Sequence, residues 1–311
     1  MTEIKRAGEL IKTVGTGLLD LVYPQDLYCI CCGKIIDGTR AYRLCNECMS
    51  SIRWNTGRHC EKCGRPLAEN DPGDLRFGCS VREASGQQHS FDKGYACAGY
   101  GACEQSMIFA LKYGSRSDIG DTLGEMMYDR MVYEYGRDEL SGMYDFALPI
   151  PTHREKKSKR GYNHAELMAR GFAKRAGLRC EPDVVVRLRP TLPMKGLGPG
   201  ERIANIRGAF GVRGRRLPQI AGARILLIDD IYTTGATIDE IARVLKDPDQ
   251  CEAGMQGSGR HEASDQSDAI TQGFGRHEAS DQSAGKHFKT TEGAARVDFL
   301  AFAGAADIVV S

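Results

Sequence analysis

Asp229 and Asp230 stand side by side between an apolar run and a loop of small hydroxylated residues. The whole segment, residues 225–237, reads Ile-Leu-Leu-Ile-Asp-Asp-Ile-Tyr-Thr-Thr-Gly-Ala-Thr. Residue types in this order suit the binding of a sugar phosphate. Paired carboxylates can accept hydrogen bonds from vicinal ribose hydroxyls and can hold a metal directly or through water. The loop that follows, Thr233, Thr234, Gly235, Ala236 and Thr237, offers backbone N–H groups and three hydroxyls to a phosphate, at the start of a helix whose dipole favours an anion. Gly235 permits the close backbone approach. The elements that must position these groups are legible on either side. Residues 225–228 are apolar without a break, as a strand buried on both faces of a parallel sheet would be, and that strand is expected to end at the acidic pair. Residues 238–246 carry a helical pattern.

A second chemistry lies in the cysteines. The chain has 12, and eight of them fall between Cys29 and Cys79 with no secretory signal ahead of them. That favours zinc in a reducing cytosol over disulfides, and a cytoplasmic protein. Cys29-x-x-Cys32 and Cys45-x-x-Cys48 make a complete four-thiolate set for one structural zinc. Cys60-x-x-Cys63 and Cys79 begin a second set, but Arg82 stands where the spacing calls for its fourth thiolate. Cys31, His59, His89 and Cys97 are the candidates to complete it, or the site stays empty. Four protein ligands leave no open position for a substrate, so either zinc is structural.

The 311 residues suggest about two domains, and the 41% hydrophobic content is enough for a core. A net charge of +1 neither demands nor excludes nucleic acid. Nothing resembles a membrane span, and residues 1–24 read as an amphipathic helix docked on the protein. From residue 91 onward strands and helices alternate. Strands are expected at 92–100, 144–150, 184–188 and 296–303, and helices ending at 113, spanning 123–132 and starting near Asn163 with Glu166 at capping-box spacing. The fold class expected is α/β, a parallel sheet flanked by helices behind a small zinc-ribbon domain, divided as residues 1–90 and 91–311. Residues 248–294 interrupt the second part with a polar insertion that contains the nonapeptide Gly-Arg-His-Glu-Ala-Ser-Asp-Gln-Ser twice. Such a composition cannot bury a core and reads as a disordered loop.

Residues 225–237 resemble the phosphoribosyl pyrophosphate (PRPP) signature of type I phosphoribosyltransferases. A narrower resemblance, to the ComF family, rests on several stretches in the same order. These are Leu-Leu-Asp-Leu-Val-Tyr-Pro at 18–24, the ribbon cysteines, Ala-Leu-Lys-Tyr-Gly at 110–114, and Pro-Ile-Pro at 149–151. They continue with Arg-Gly-Tyr-Asn-His-Ala-Glu-Leu at 160–167, Arg-Leu-Arg-Pro-Thr at 187–191, Lys-Gly-Leu at 195–197 and Glu-Arg-Ile-Ala-Asn-Ile-Arg-Gly-Ala-Phe at 201–210. The resemblance implies a phosphoribosyltransferase domain behind a zinc ribbon, Mg²⁺ with PRPP, and a link to DNA uptake in competent bacteria. Asp229 and Asp230 would then hold the ribose hydroxyls and metal, and residues 233–237 the 5′-phosphate. Lys112 would meet the pyrophosphate, with Arg160 on the basic loop 154–160 closing over the same charge. Arg82 and the insertion are departures from the family pattern. Purine salvage enzymes of the superfamily often carry an Asp where this chain has Thr233, which argues against a purine acceptor; no other stretch identifies one.

An alternative reading is a non-catalytic protein that handles single-stranded DNA beside other competence DNA-uptake proteins and uses PRPP only as a regulatory ligand. The basic loop and the run Arg202, Arg207, Arg213, Arg215, Arg216 and Arg224 favour it. The scarcity of aromatics there, only Tyr162 and Phe210, weighs against it.

Overall fold

A computed structural model of the chain describes residues 27–67, 79, 88–114, 116–152, 158, 161–192, 194, 196–249 and 292–304. The expected helix at 1–24, the basic loop with Arg160, and almost all of the insertion lie outside the described residues.

In chain order the elements that matter are α1 (Asn46–Ser51), β1 (Gly94–Gly99), α2 (Ala102–Tyr113), α3 (Ile119–Tyr135), β2 (Phe146–Pro149), α4 (His164–Ala176), β3 (Arg179–Cys180), β4 (Val185–Arg187), α5 (Pro199–Ile206), β5 (Phe210–Val212), β6 (Arg224–Tyr232), α6 (Ala236–Lys246) and β7 (Arg296–Gly304). Five strands form one sheet in the order β1-β7-β6-β2-β3, and every neighbouring pair is parallel. The central strands are β7, β6 and β2, and their middle residues are mostly apolar because both faces are covered. Alternation along β6 sends Leu226 and Ile228 into the core beneath α2, α3 and α4, and Ile225 and Leu227 into the core beneath α6 and the β4–β5 hairpin.

Two expectations change. The strand near residues 184–188 exists as β4, but it pairs antiparallel with β5 in a separate two-stranded sheet and not with the main one. Its three-residue length gives no local sign of its partner, and Arg187 lies over the ring of Phe210 across the pair. The signature strand also continues through the acidic pair to Tyr232, because Ile231 and Tyr232 keep their register with Ala303 and Gly304 on β7.

The edge strand β1 is not left open. Gly99 donates to the Arg53 carbonyl at 2.8 Å, Asn55 donates to the Cys97 carbonyl at 3.1 Å, and Trp54 bridges antiparallel to Ala98. The segment after α1 therefore closes the sheet edge, which would otherwise offer unpaired backbone groups to other chains. The buried Asn55 side chain ties this join together by donating to Gly64 and Ala96 carbonyls at 2.8 and 3.1 Å.

The flanks of the insertion meet. Ala294 donates to the Leu245 carbonyl at 2.9 Å, Gly222 donates to the Gly293 carbonyl at 3.0 Å, and a Cβ at Gly293 would come within 2.0 Å of the Lys246 oxygen. Replacing residues 250–291 with a short Gly/Ser linker is therefore expected to leave the fold intact. Shortening the loop changes closure entropy by only about 1–2 kcal/mol, in the stabilising direction. Thermal denaturation of the deletion variant checks this; a loss of several kcal/mol would mean that the insertion packs on the fold.

Candidate functional site

The acidic pair sits at the carboxyl end of β6, where open parallel sheets bind ligands. The strand's alternation turns Asp230 toward α2 and α4, the side on which Ile228 is buried. There Lys112, in the last turn of α2, forms an ion pair with it, and His164, the first residue of α4, brings Nε2 to 3.6 Å from Oδ1. Asp229 instead lines a cleft together with Met194, Arg202, Tyr232 and residues 233–238. Asp230 is thus buried and paired, and Asp229 is half-buried at the edge of the cleft.

Their protonation follows from this split. Burial alone would raise the Asp230 carboxyl, but the His164 hydrogen bond and the Lys112 charge outweigh it and hold the group well below the usual carboxylate range. Burial first, and then the adjacent Asp230 charge, push the Asp229 carboxyl well above that range. His164, Asp229 and Asp230 bring their ligand atoms within 4.8 Å of one another, a cluster able to hold a divalent cation.

The loop after β6 is shaped by one residue. Gly235 has φ +76°, in the left-handed region, and a Cβ there would lie 2.9 Å from Cε2 of Tyr232. Both the backbone conformation and the tyrosine beneath it select glycine. Thr234 is buried, and α6 begins at Ala236, so the first turn of the helix opens toward the same cleft as Asp229.

Asn163 positions the His164 end. It is only 6% exposed; its Oδ1 accepts from Ala165 N at 3.2 Å and from Thr152 Oγ1 at 2.7 Å, and its Nδ2 donates to the Ile150 carbonyl at 3.0 Å. It therefore caps α4 and ties it to the end of β2. Asn163→Ala is expected to cost about 2–3 kcal/mol, combining a lost cap with two buried hydrogen bonds. Urea denaturation reads this, and a change below about 0.5 kcal/mol would contradict the role.

Of the residues singled out from the sequence, Asp229, Asp230, Lys112, Thr233, Thr234, Gly235, Ala236 and Thr237 come together here. Arg160 lies outside the described residues. His164, Met194 and Arg202 were not assigned to the site from the sequence, Arg202 being read only in a basic run and in one of the stretches that carry the family resemblance. No spacing rule could have found them, since each arrives from a distant segment. His164 had one local signal, its place directly after the helix cap.

The cysteines divide as the spacing implies. Sγ atoms of Cys29, Cys32, Cys45 and Cys48 all lie within 4.8 Å of one another, and a separate group joins Cys60, Cys63 and Cys79. Backbone N–H groups point at the first set: Cys45 N lies 3.4 Å from Cys29 Sγ, and Cys48 N lies 3.5 Å from Cys45 Sγ. Burial raises the Cys29 thiol, but backbone donors from Cys32, Cys45 and Cys31 overcome it and bring the group down to about 7. Four clustered thiols, one already inclined to ionise, fit a tetrahedral structural zinc.

The described residues define an α/β protein with a parallel five-stranded sheet and an amino-terminal zinc-ribbon region. Residues 18–80 match the double zinc ribbon domain family. The resemblance to the ComF family is borne out by relatives that carry its names. Competence protein F of Haemophilus influenzae is 24% identical over 203 residues, covering 65% of this chain and 84% of that protein. The DNA utilization protein YhgH of Escherichia coli K12 is 24% identical over 202 residues, covering 65% and 83%. Competence protein ComFC of Streptococcus pneumoniae is 24% identical over 206 residues, covering 66% and 81%. No solved structure matches the chain. Among the described residues no helix is long and apolar enough to cross a membrane.

Proposed function

We propose that this chain binds Mg²⁺-PRPP and transfers or releases its phosphoribosyl group with loss of pyrophosphate, in support of DNA uptake during competence. One observation carries the reading: Asp229 and a Thr/Gly loop leading into a helix N-terminus line a single cleft, with Lys112 and His164 converging on the adjacent Asp230. The competence and DNA-utilization names of the relatives supply the cellular setting.

The roles follow from chemistry. Residues 233–237 donate backbone N–H and hydroxyl groups to the 5′-phosphate. Asp229 and Asp230 accept from the ribose hydroxyls, which orients the anomeric carbon. The bond from that carbon to pyrophosphate breaks through a transition state of oxocarbenium character, and the electron pair leaves with the pyrophosphate. The acceptor (on transfer) or water (on release) bonds to the carbon and gives up its proton to solvent. Lys112 exchanges its Asp230 partner for the departing charge. The acidic cluster fits Mg²⁺, which when bound neutralises the leaving group. Arg160 from the basic loop is the further cation proposed to close over it. Most of the rate enhancement would come from positioning and fixed charge.

The DNA-handling alternative draws less support from the arginine run. Arg213 lies 4.0 Å from Asp183, Arg216 lies 3.4 Å from Glu181 and Arg224 lies 3.1 Å from Asp145, so their charge is partly met within the protein. Calorimetric titration of the zinc-loaded chain with PRPP and Mg²⁺ tests the proposal. Micromolar binding supports it; no binding removes it and moves DNA handling to first place.

A further inference from the structure

The second ribbon lacks a fourth cysteine, yet the fold supplies another donor. The thiols of Cys60, Cys63 and Cys79 lie within 4.8 Å of one another, with Cys63 and Cys79 at 3.4 Å. Three of the four residues that could complete the set are engaged elsewhere. Cys31 turns to Cys103, with Sγ atoms 2.7 Å apart. His59 places Nδ1 2.9 Å from the Gly57 carbonyl and Nε2 3.8 Å from Glu134. Cys97 is fully buried on β1 and donates to the Met126 carbonyl at 3.4 Å.

His89 is different. Its side chain is 2% exposed, its ring stacks on Phe91 at 4.4 Å, and it faces the Cys79 thiol. Nδ1 sits 2.8 Å from Asp239 Oδ2, while Nε2 is buried and makes no hydrogen bond. A buried imidazole nitrogen with no partner is costly unless something ligates it. A second orphan points the same way: Tyr232 Oη is buried without a hydrogen bond and faces Cys63, where a thiolate would accept from it.

We propose that His89 Nε2 is the fourth ligand of a second zinc held by Cys60, Cys63 and Cys79, with Asp239 fixing the imidazole from behind. His89 stands outside the 4.8 Å group of the three thiols, so ligation draws the ring toward them. The carboxylate–histidine–metal arrangement is the usual one for zinc-bound imidazoles, setting both tautomer and orientation. Asp239 is itself held, since its Oδ1 accepts from Ser90 N at 2.7 Å. It lies in the first turn of α6, and Tyr232 is the last residue of β6 beneath Gly235. The zinc therefore braces the Thr/Gly loop through Tyr232 before it and Asp239 after it. Replacing a thiolate by a histidine exchanges one ribbon ligand for a mechanical link between ribbon and site.

Metal content and zinc K-edge absorption of the full-length, zinc-loaded chain test this without any substrate. The expected result is about two zinc ions per chain, with an average shell of about 3.5 sulfurs at ~2.3 Å and 0.5 nitrogen at ~2.0 Å. His89→Ala should drop to about one zinc with an all-sulfur shell. His89→Cys should keep about two, all sulfur, which separates a lost ligand from a misfolded ribbon. Asp239→Asn should keep both ions but release the second about 10–100-fold more readily to a chelator. One zinc in the unaltered chain, an all-sulfur shell there, or two zincs retained by His89→Ala would each overturn the assignment.

Discussion

Mg²⁺-PRPP affinity is expected to fall at least about 100-fold, roughly 3 kcal/mol, when Asp229 and Asp230 are both replaced by Asn. The amides keep the shape of the pair but cannot hold a cation or accept as strongly from ribose hydroxyls. Calorimetry reads the loss, and circular dichroism confirms that the sheet survives. Unchanged affinity in the double variant would sink the site assignment. The single variants should separate stability from binding, because the two groups are shifted in opposite directions. Asp229 is raised when folded, so its ionisation opposes folding once the pH exceeds the unfolded value of about 3.9, and the penalty grows until the folded value is passed. Asp229→Asn is therefore expected to be neutral or stabilising near pH 7 while still weakening PRPP. Asp230 is depressed when folded, so its contribution is present above about pH 3.9 and lost as pH falls below it. Asp230→Asn should cost about 2–4 kcal/mol near neutrality, since it leaves Lys112 without its buried anion.

The second large effect concerns the first zinc. Cys32→Ser with Cys45→Ser, or thorough chelation, is expected to unfold the ribbon, because binding of a structural zinc contributes on the order of 10 kcal/mol to folding such a module. Apart from the metal, residues 27–51 are held by Ile30 and Leu44, buried in the core shared with α2 and α3, and by a few polar contacts. Tyr42 and Arg43 both carry φ 52°, a conformation that L residues adopt reluctantly. They are held by Tyr42 Oη donating to Asp129 at 2.8 Å and by Arg43 pairing with Asp118 at 3.0 Å. Loss of the ribbon would also expose the β1 edge that residues 53–55 cover. Hydrogen exchange should show the amides of Cys45 and Cys48 losing protection while those of β6 and β7 largely keep it. A metal-free sample with an unchanged melting profile and unchanged exchange would contradict this account.

The β6–loop–α6 unit was legible in the sequence because each part is set locally. An unbroken apolar run marks a strand covered on both faces, and Gly235 marks a left-handed turn. The first cysteine set was legible for the same reason, as each CxxC pair places two sulfurs through a tight turn of its own backbone. The β4–β5 hairpin was not. Two three-residue strands carry too few residues for a period to show, and their pairing depends on a partner about 25 residues on. Nor could the sequence say where β6 would stop, since that was decided by register with β7.

By itself the sequence determined which reactive groups stand together: a carboxylate pair before a Thr/Gly loop, and cysteines at zinc spacing. These depend on neighbours within a few residues, where backbone geometry leaves little choice. Only the tertiary structure decided how the groups differ. Asp229 and Asp230 are adjacent and identical in type, yet Lys112 and His164, brought in by separate helices, favour the ionised form of Asp230, while burial and that neighbouring charge favour the protonated form of Asp229. His89 and Asp239, 150 residues apart, meet only because α6 packs beside the second thiol cluster. Burial and the placement of distant charges are properties of the packed chain, and so no local reading could assign them.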